Sequence, residues 1–212
     1  MTAHPRPPRA VLFDVFGTLA RIGAPRHPYR GLLRALARTG RAPQREDRRL
    51  LMSRPLDLAQ AAEALGGGCP DTELARLQAE LDGELASIRL FPDAAPTLHR
   101  LRAAGLRIGL CSNLSLPYAA PVQRLLPVAV DASLWSFEVG ALKPEPAIFD
   151  AACRALAVPP EDVLMVGDTL AADWHGPRAA GMRALHLVRH GVGVTPDGIA
   201  SLAELPARLG VE

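Results

Sequence analysis

Four short clusters in this chain combine residue types and contexts suited to chemistry. The first is Asp14-Val15-Phe16-Gly17-Thr18-Leu19, which follows the apolar run Ala10-Val11-Leu12-Phe13. A carboxylate at the C-terminal end of a buried parallel strand faces the crevice where open α/β sheets bind ligands, and there it can act as nucleophile or metal ligand. The second is Ser112-Asn113, after Leu106–Cys111. The third, Lys143-Pro144, precedes a helical stretch that starts near Pro146. The fourth is Gly167-Asp168, with Asp173 five residues on, after Val163–Val166. Singly these are weak signals, because an Asp that ends a strand is often a cap and Ser-Asn is an ordinary loop dipeptide. In this order, all four converge on the C-terminal edge of one sheet. Lys143 is also the only lysine among 24 basic residues. Its compact ammonium is a point charge that a forked guanidinium cannot copy.

The elements that must position these residues read as an alternation. Strand character recurs at 10–16, Leu106–Ser112, Val163–Gly167 and Arg183–Val188. Helical patterns fill Asp93–Ala104, Tyr118–Leu126, Pro146–Ala157 and Ala171–Gly181. Strands that alternate with helices predict a parallel sheet covered on both faces. Residues 22–88 break the alternation with helix after helix: His27–Thr39, Glu46–Met52, Asp57–Leu65 and Thr72–Ile88. Leu32, Leu33, Leu36 and Ala37, and likewise Leu74, Leu77, Leu81 and Leu85, give apolar faces at helical spacing. Gly66-Gly67-Gly68 with Pro70 interrupts this region, and 196–212 reads as a closing turn and helix.

Composition narrows the function classes. A net charge of +2 makes no case for a nucleic-acid or membrane surface. Three widely spaced cysteines have neither zinc-site spacing nor the density of a disulfide scaffold, which points to a reducing, cytoplasmic setting. Residues 1–9, rich in Pro and Arg, lack the apolar segment of a signal peptide, and no apolar run is long enough to span a bilayer. The expected partner is a small anionic molecule; the oligomeric state is not legible.

Together, and in this order, the four clusters resemble the haloacid dehalogenase (HAD) superfamily over residues 10 to about 190. The resemblance implies a doubly wound, Rossmannoid α/β core at 1–21 and 89–212, and a small helical cap at 22–88. It implies Asp14 as a nucleophile that forms a covalent aspartyl intermediate. Thr18 and Ser112 would donate hydrogen bonds to the transferring group, and Lys143 would neutralise developing charge. Mg²⁺ would be held by Asp14, Asp168 and the backbone carbonyl of Phe16, with Asp173 orienting a metal-bound water or Lys143. Asn113, and Arg26, Tyr29 and Arg30 at the start of the cap, are the expected substrate contacts. Arg48, Arg49 and Arg54 lie further in, and Trp174 and His175 either line the mouth or pack at a helix start.

One position departs from the family's phosphatases. They carry a second acid two residues after the nucleophile, and this chain has Phe16 there. General acid–base help is worth about 10²–10⁴-fold. Three readings follow. The first to carry forward is Mg²⁺-dependent, phosphatase-type hydrolysis of a small phosphorylated metabolite, with a good leaving group or with an acid from His27, Tyr29 or Glu46. The second is a 2-haloacid dehalogenase, which often has an aromatic at this position. That branch has serine at the place of Asp168, asparagine at that of Leu170 and usually tyrosine at that of Phe149. The third is a binding or inactive protein, against which the intact remaining clusters count. Phosphonate cleavage would need a second, cap lysine, and there is none.

Overall fold

The structure is a computed structural model that describes residues 7–189, 195 and 198–211. Its centre is β1 (Ala10–Phe13), four consecutive residues wholly removed from solvent. A strand buried on both faces reads as a continuous apolar run, which is the pattern of a parallel sheet. The chain then forms β2 (Ala20–Ile22), α1 (Pro28–Arg38), α2 (Asp47–Ser53), α3 (Leu58–Ala64), α4 (Asp71–Ala86) and β3 (Ile88–Leu90). It continues with α5 (Ala94–Ala103), β4 (Arg107–Ser112), α6 (Ala119–Leu125), β5 (Ala132–Trp135), α7 (Ser136–Val139) and α8 (Pro146–Leu156). It closes with β6 (Val163–Gly167), a π-helical turn (Leu170–His175), α9 (Gly176–Ala179), β7 (Arg183–His186) and α10 (Leu205–Arg208).

The five-stranded sheet has the order β5-β4-β1-β6-β7 and is parallel throughout. From β1 the chain works outward to β4 and β5, then returns to the other side for β6 and β7. The winding reverses beside β1, so the crevice at the C-terminal ends of β1 and β6 is the topological switch point. This is the doubly wound α/β sheet that the alternation predicts. On one face Ala10, Leu12, Met165 and Cys111 pack against Ile148, Phe149, Ala152 and Leu156 of α8. On the other Val11, Phe13, Leu110 and Val166 meet Leu98 and Leu101 of α5. That second cluster runs on without a break into Leu32, Leu36, Leu51, Leu58, Leu77 and Leu81 of α1–α4. Each such side chain contributes about 1.5–3 kcal/mol on burial.

Several elements differ from the expected ones. β1 ends at Phe13 rather than 16, because the Val15 carbonyl accepts the N–H groups of Thr18, Leu19 and Ala20 and curls the chain away. β2 and β3 form an antiparallel ribbon at the two ends of the helical segment; at three residues each they are too short to show a period. β5, also unpredicted, adds an edge strand that carries the fully buried Trp135. The stretch expected as one helix from Ala171 to Gly181 begins as a wider turn and becomes α-helical only at Gly176. α10 falls inside the expected closing segment, of which residues 196, 197 and 212 lie outside the described residues. Among the described residues no helix is long and apolar enough to cross a membrane.

Candidate active site

Asp14 leaves β1 with its N–H still paired to the Val166 carbonyl of β6 (2.9 Å), so sheet register fixes its Cα. Its Oδ1 accepts from Ser112 Oγ (3.1 Å), at the end of β4, and from Lys143 Nζ (2.8 Å). Lys143 Nζ also donates to Asp173 Oδ1 (2.6 Å), and both side chains are almost wholly buried. Burial alone would lower the ammonium's pKa, but Asp14 and Asp173 outweigh it and hold the group charged well above its ordinary range. Asp173 reaches this point because the wide turn folds it back under β6, where its Oδ2 accepts from Thr169 N (2.9 Å). A Cβ on Gly167 would stand 2.3 Å from the Asp173 carboxyl carbon, so only glycine admits it.

Asp168 completes the cluster from the solvent side. Desolvation and the charges of Asp14 and Asp173 push its carboxyl up to about 6. One ligand atom from each of Asp14, Asp168 and Asp173 lies within 4.8 Å of the others. Gly17, at φ +91°, lets the backbone come so close to Asp168 that a Cβ there would fall 2.1 Å from Oδ2. Thr18 is fully buried, and its Oγ1 has no hydrogen-bond partner among the described residues. A buried hydroxyl costs free energy unless something bonds it.

Asn113 engages both amide atoms with the backbone of Lys143: Nδ2 donates to the carbonyl and Oδ1 accepts the N–H. It holds the lysine's main chain, and it also lines a cavity of about 520 Å³ beside the cluster. Phe16, Tyr29, Arg30, Arg48 and Tyr118 line the same cavity. Phe16 stands edge-on to Tyr118, with centroids 5.8 Å apart. The Tyr29 hydroxyl is buried, and burial, opposed by the nearby Ser115 hydroxyl, pushes its pKa well above the ordinary phenol value. His27 is also on the cavity wall, whereas Arg26 lies outside it, across Gly83 of α4. Glu46, Arg49 and Arg54 are outside as well; Arg49 instead pairs with Glu145 and ties α2 to the core. Trp174 packs against the α8 cluster under Arg178, so the packing alternative describes it better than the mouth. Phe149 is a fully buried core side chain.

Two residues with no role in the sequence reading hold the site in place. Arg189 donates to the carbonyls of Gly17 and Thr18 and makes a forked pair with Asp93, its guanidinium stacked 3.7 Å above Phe91. Glu84, buried on α4, accepts from the Arg26 and His27 N–H groups and from Tyr118 Oη (2.6 Å). His27 takes a left-handed φ of 57° there. No local sequence signal marks either residue, because every partner is remote in the chain.

With this geometry in view, the chain's similarities are informative. Residues 8–181 match a family described as haloacid dehalogenase-like hydrolase. A phosphatase of Mycobacterium tuberculosis is 40% identical over 51% of this chain and 50% of its own length. An (S)-2-haloacid dehalogenase of a Pseudomonas species is 30% identical over 96% of this chain and 97% of its own. The crystal structure of a HAD phosphatase from Thermococcus onnurineus superposes with a TM-score of 0.64 at 26% identity, covering 96% of this chain and 99% of that one. In its first curated matches, this chain spans only about half to three fifths of the relative's length.

Proposed function

The chain belongs to the haloacid dehalogenase-like hydrolases, and from that premise we propose that it is a Mg²⁺-dependent phosphatase-type hydrolase of a small phosphorylated metabolite. The observation that carries the reading is the buried ammonium of Lys143 bridging Asp14 and Asp173 beside Asp168. Ser112 and Lys143 occupy Asp14 Oδ1, which leaves Oδ2 as the attacking oxygen. Attack at phosphorus breaks the bond to the leaving oxygen and gives an aspartyl phosphate; water then returns Asp14 to a carboxylate and releases phosphate. Lys143 neutralises the nucleophile's charge and that of the transferring group, and the free Thr18 hydroxyl donates to one of its oxygens.

The donor set suits the metal. Three carboxylates face one ammonium, all candidate ligands are oxygens, and Mg²⁺ prefers oxygen ligands and retained waters. Asp14, Asp168 and the Phe16 carbonyl would hold it, with Asp173 kept for Lys143. When bound, the ion supplies positive charge against the phosphoryl oxygens. We assign residues 22–88 as the cap module that brings Tyr29 and Arg30 to the cavity. The three cysteines, all free, support a cytoplasmic setting.

Phe16 and the full-length dehalogenase relative favour a second reading, 2-haloacid dehalogenation. Asp168 weighs against it, since a halide needs no metal to leave. The test is a panel of phosphate esters, acyl phosphates and 2-haloacids, each with Mg²⁺ and with EDTA. Phosphate release that is lost with EDTA and with Asp14→Asn supports the first reading. Halide release that survives EDTA refutes it. No turnover on either panel, with ligand binding unchanged in Asp14→Asn, identifies a binding protein.

A further inference from the structure

We propose that the substrate is an aryl phosphate, whose ring lies in the cavity against Phe16 and whose oxygen leaves as a phenolate without a proton from the protein. The inference rests on the phosphatase-type reading above and narrows its substrate class. The side chain two residues beyond the nucleophile is a hydrocarbon ring, and that ring lines the cavity together with Tyr118 and Tyr29. The three rings form a continuous series: Phe16 is edge-on to Tyr118, and Tyr118 is tilted 38° against Tyr29 at 6.4 Å. Aromatic guests favour such edge-to-face and offset arrangements.

The titratable groups on the cavity wall are His27, Tyr29, Arg30, Arg48, Glu84 and Tyr118. Glu84 is committed as an acceptor, with one oxygen on Tyr118 Oη and the other on two backbone N–H groups. The Tyr118 proton therefore points at Glu84 and away from any leaving group. Burial, then Glu84, pushes that hydroxyl well above its ordinary pKa, and burial does the same to Tyr29. Arginine does not give up its proton in proteins. Among the described residues of the wall, only His27 is left as a donor, on the solvent-exposed rim. A leaving alkoxide needs a proton, whereas a phenolate spreads its charge into its own ring. Arg30 and Arg48, both exposed and without an ion-pair partner among the described residues, would meet an anionic substituent on that ring.

The balance of the first step is simple. The bond from Asp14 Oδ2 to phosphorus forms, the bond from phosphorus to the aryl oxygen breaks, and the phenolate leaves with the electron pair and takes its proton from solvent. Water then cleaves the aspartyl phosphate, so one phosphate and one phenol leave per water consumed.

The test is a leaving-group series on the Mg²⁺-loaded protein: ring-substituted phenyl phosphates from 4-nitrophenyl to 4-methoxyphenyl, with benzyl phosphate as the alkoxide case. The expected result is a steep fall of kcat/KM with leaving-group basicity, with benzyl phosphate about 10²–10⁴-fold below the best phenyl ester. Phe16→Asp flattens the slope, while Phe16→Leu, which keeps an apolar wall, raises KM and leaves the slope steep. If Phe16→Asp does not fold, the wild-type slope and Phe16→Leu still decide. Benzyl phosphate within about tenfold of the phenyl esters overturns the inference but leaves the phosphatase reading standing. So does a shallow slope that steepens in His27→Ala, which would make the imidazole the missing acid. Inertness toward every phosphate ester and acyl phosphate refutes both.

Discussion

Removing the cation at the centre of the site is the sharpest perturbation the geometry offers. In Lys143→Met, the stem's bulk is kept and the charge is lost. Unit charges 2.8 and 2.6 Å apart attract by about 6 kcal/mol each at an effective dielectric of about 20. Desolvation of the ions offsets much of this, and removal of one partner of a buried pair costs about 3–5 kcal/mol. For a chain of 212 residues that is a Tm lower by about 6–20 °C. The pH dependence carries the sign. Lys143 is held charged above its ordinary range, so its own deprotonation takes no stability away below about pH 10. In the variant the carboxylates left behind are relieved only by taking up protons. The cost should therefore be greatest above pH 7 and shrink as pH falls toward 4.5. Mg²⁺ should restore part of the variant's loss and add less to the wild type. Thermal and urea unfolding across pH 4.5–8.5, with and without Mg²⁺, measure all of this. A cost below about 1 kcal/mol at pH 7.5, or one unchanged at pH 4.5, would refute the account of the cluster.

Other consequences are testable in the same preparations. Gly17→Ala forces a side chain onto φ +91° and into Asp168, so it should lose at least about tenfold in Mg²⁺ affinity by calorimetry and about 1–3 kcal/mol in stability. Mg²⁺ affinity itself should fall about tenfold per pH unit below about pH 6, where protons compete for Asp168; a flat profile from pH 7.5 to 5 would remove Asp168 from the ligand set. Arg189→Met frees the Gly17 and Thr18 carbonyls and should lower kcat about tenfold with KM little changed. Arg189→Lys should not rescue it, because an ammonium cannot bridge two carbonyls and a carboxylate in one plane. Glu84→Gln keeps the shape but loses the charged acceptor, and should cost about 1.5–3 kcal/mol in urea unfolding.

What the sequence made legible follows from how local each signal is. Asp14, Ser112 and Asp168 each end an apolar run, and a buried strand places its last residue where the sheet directs it. Lys143 stood out because no other lysine competes with it. The ribbon of β2 and β3 and the edge strand β5 left no comparable trace, since three or four residues cannot display a period. The wide turn at Leu170–His175 reads as an ordinary helix because its composition is helical. Its extra residue per turn matters only once Asp173 must reach Lys143. Arg189 and Glu84 were out of reach for another reason: their partners lie as far as 172 and 58 residues away, and one arginine among 23 carries no mark of the carbonyls it will meet. Phe16 was legible as an absence, but the ring series it forms with Tyr118 and Tyr29 required the fold.

The lone lysine has a further, purely chemical consequence. Every other Lys or Arg position here carries a guanidinium, so the sequence holds one ε-amine, on a residue that is 5% exposed and pairs with two carboxylates. Amine-directed reagents find no lysine on the outer surface. The rate at which such a reagent marks Lys143 becomes a clock for how often the crevice parts. A bound phosphate analogue or Mg²⁺ should slow it, turning an ordinary labelling experiment into a single-site measure of occupancy.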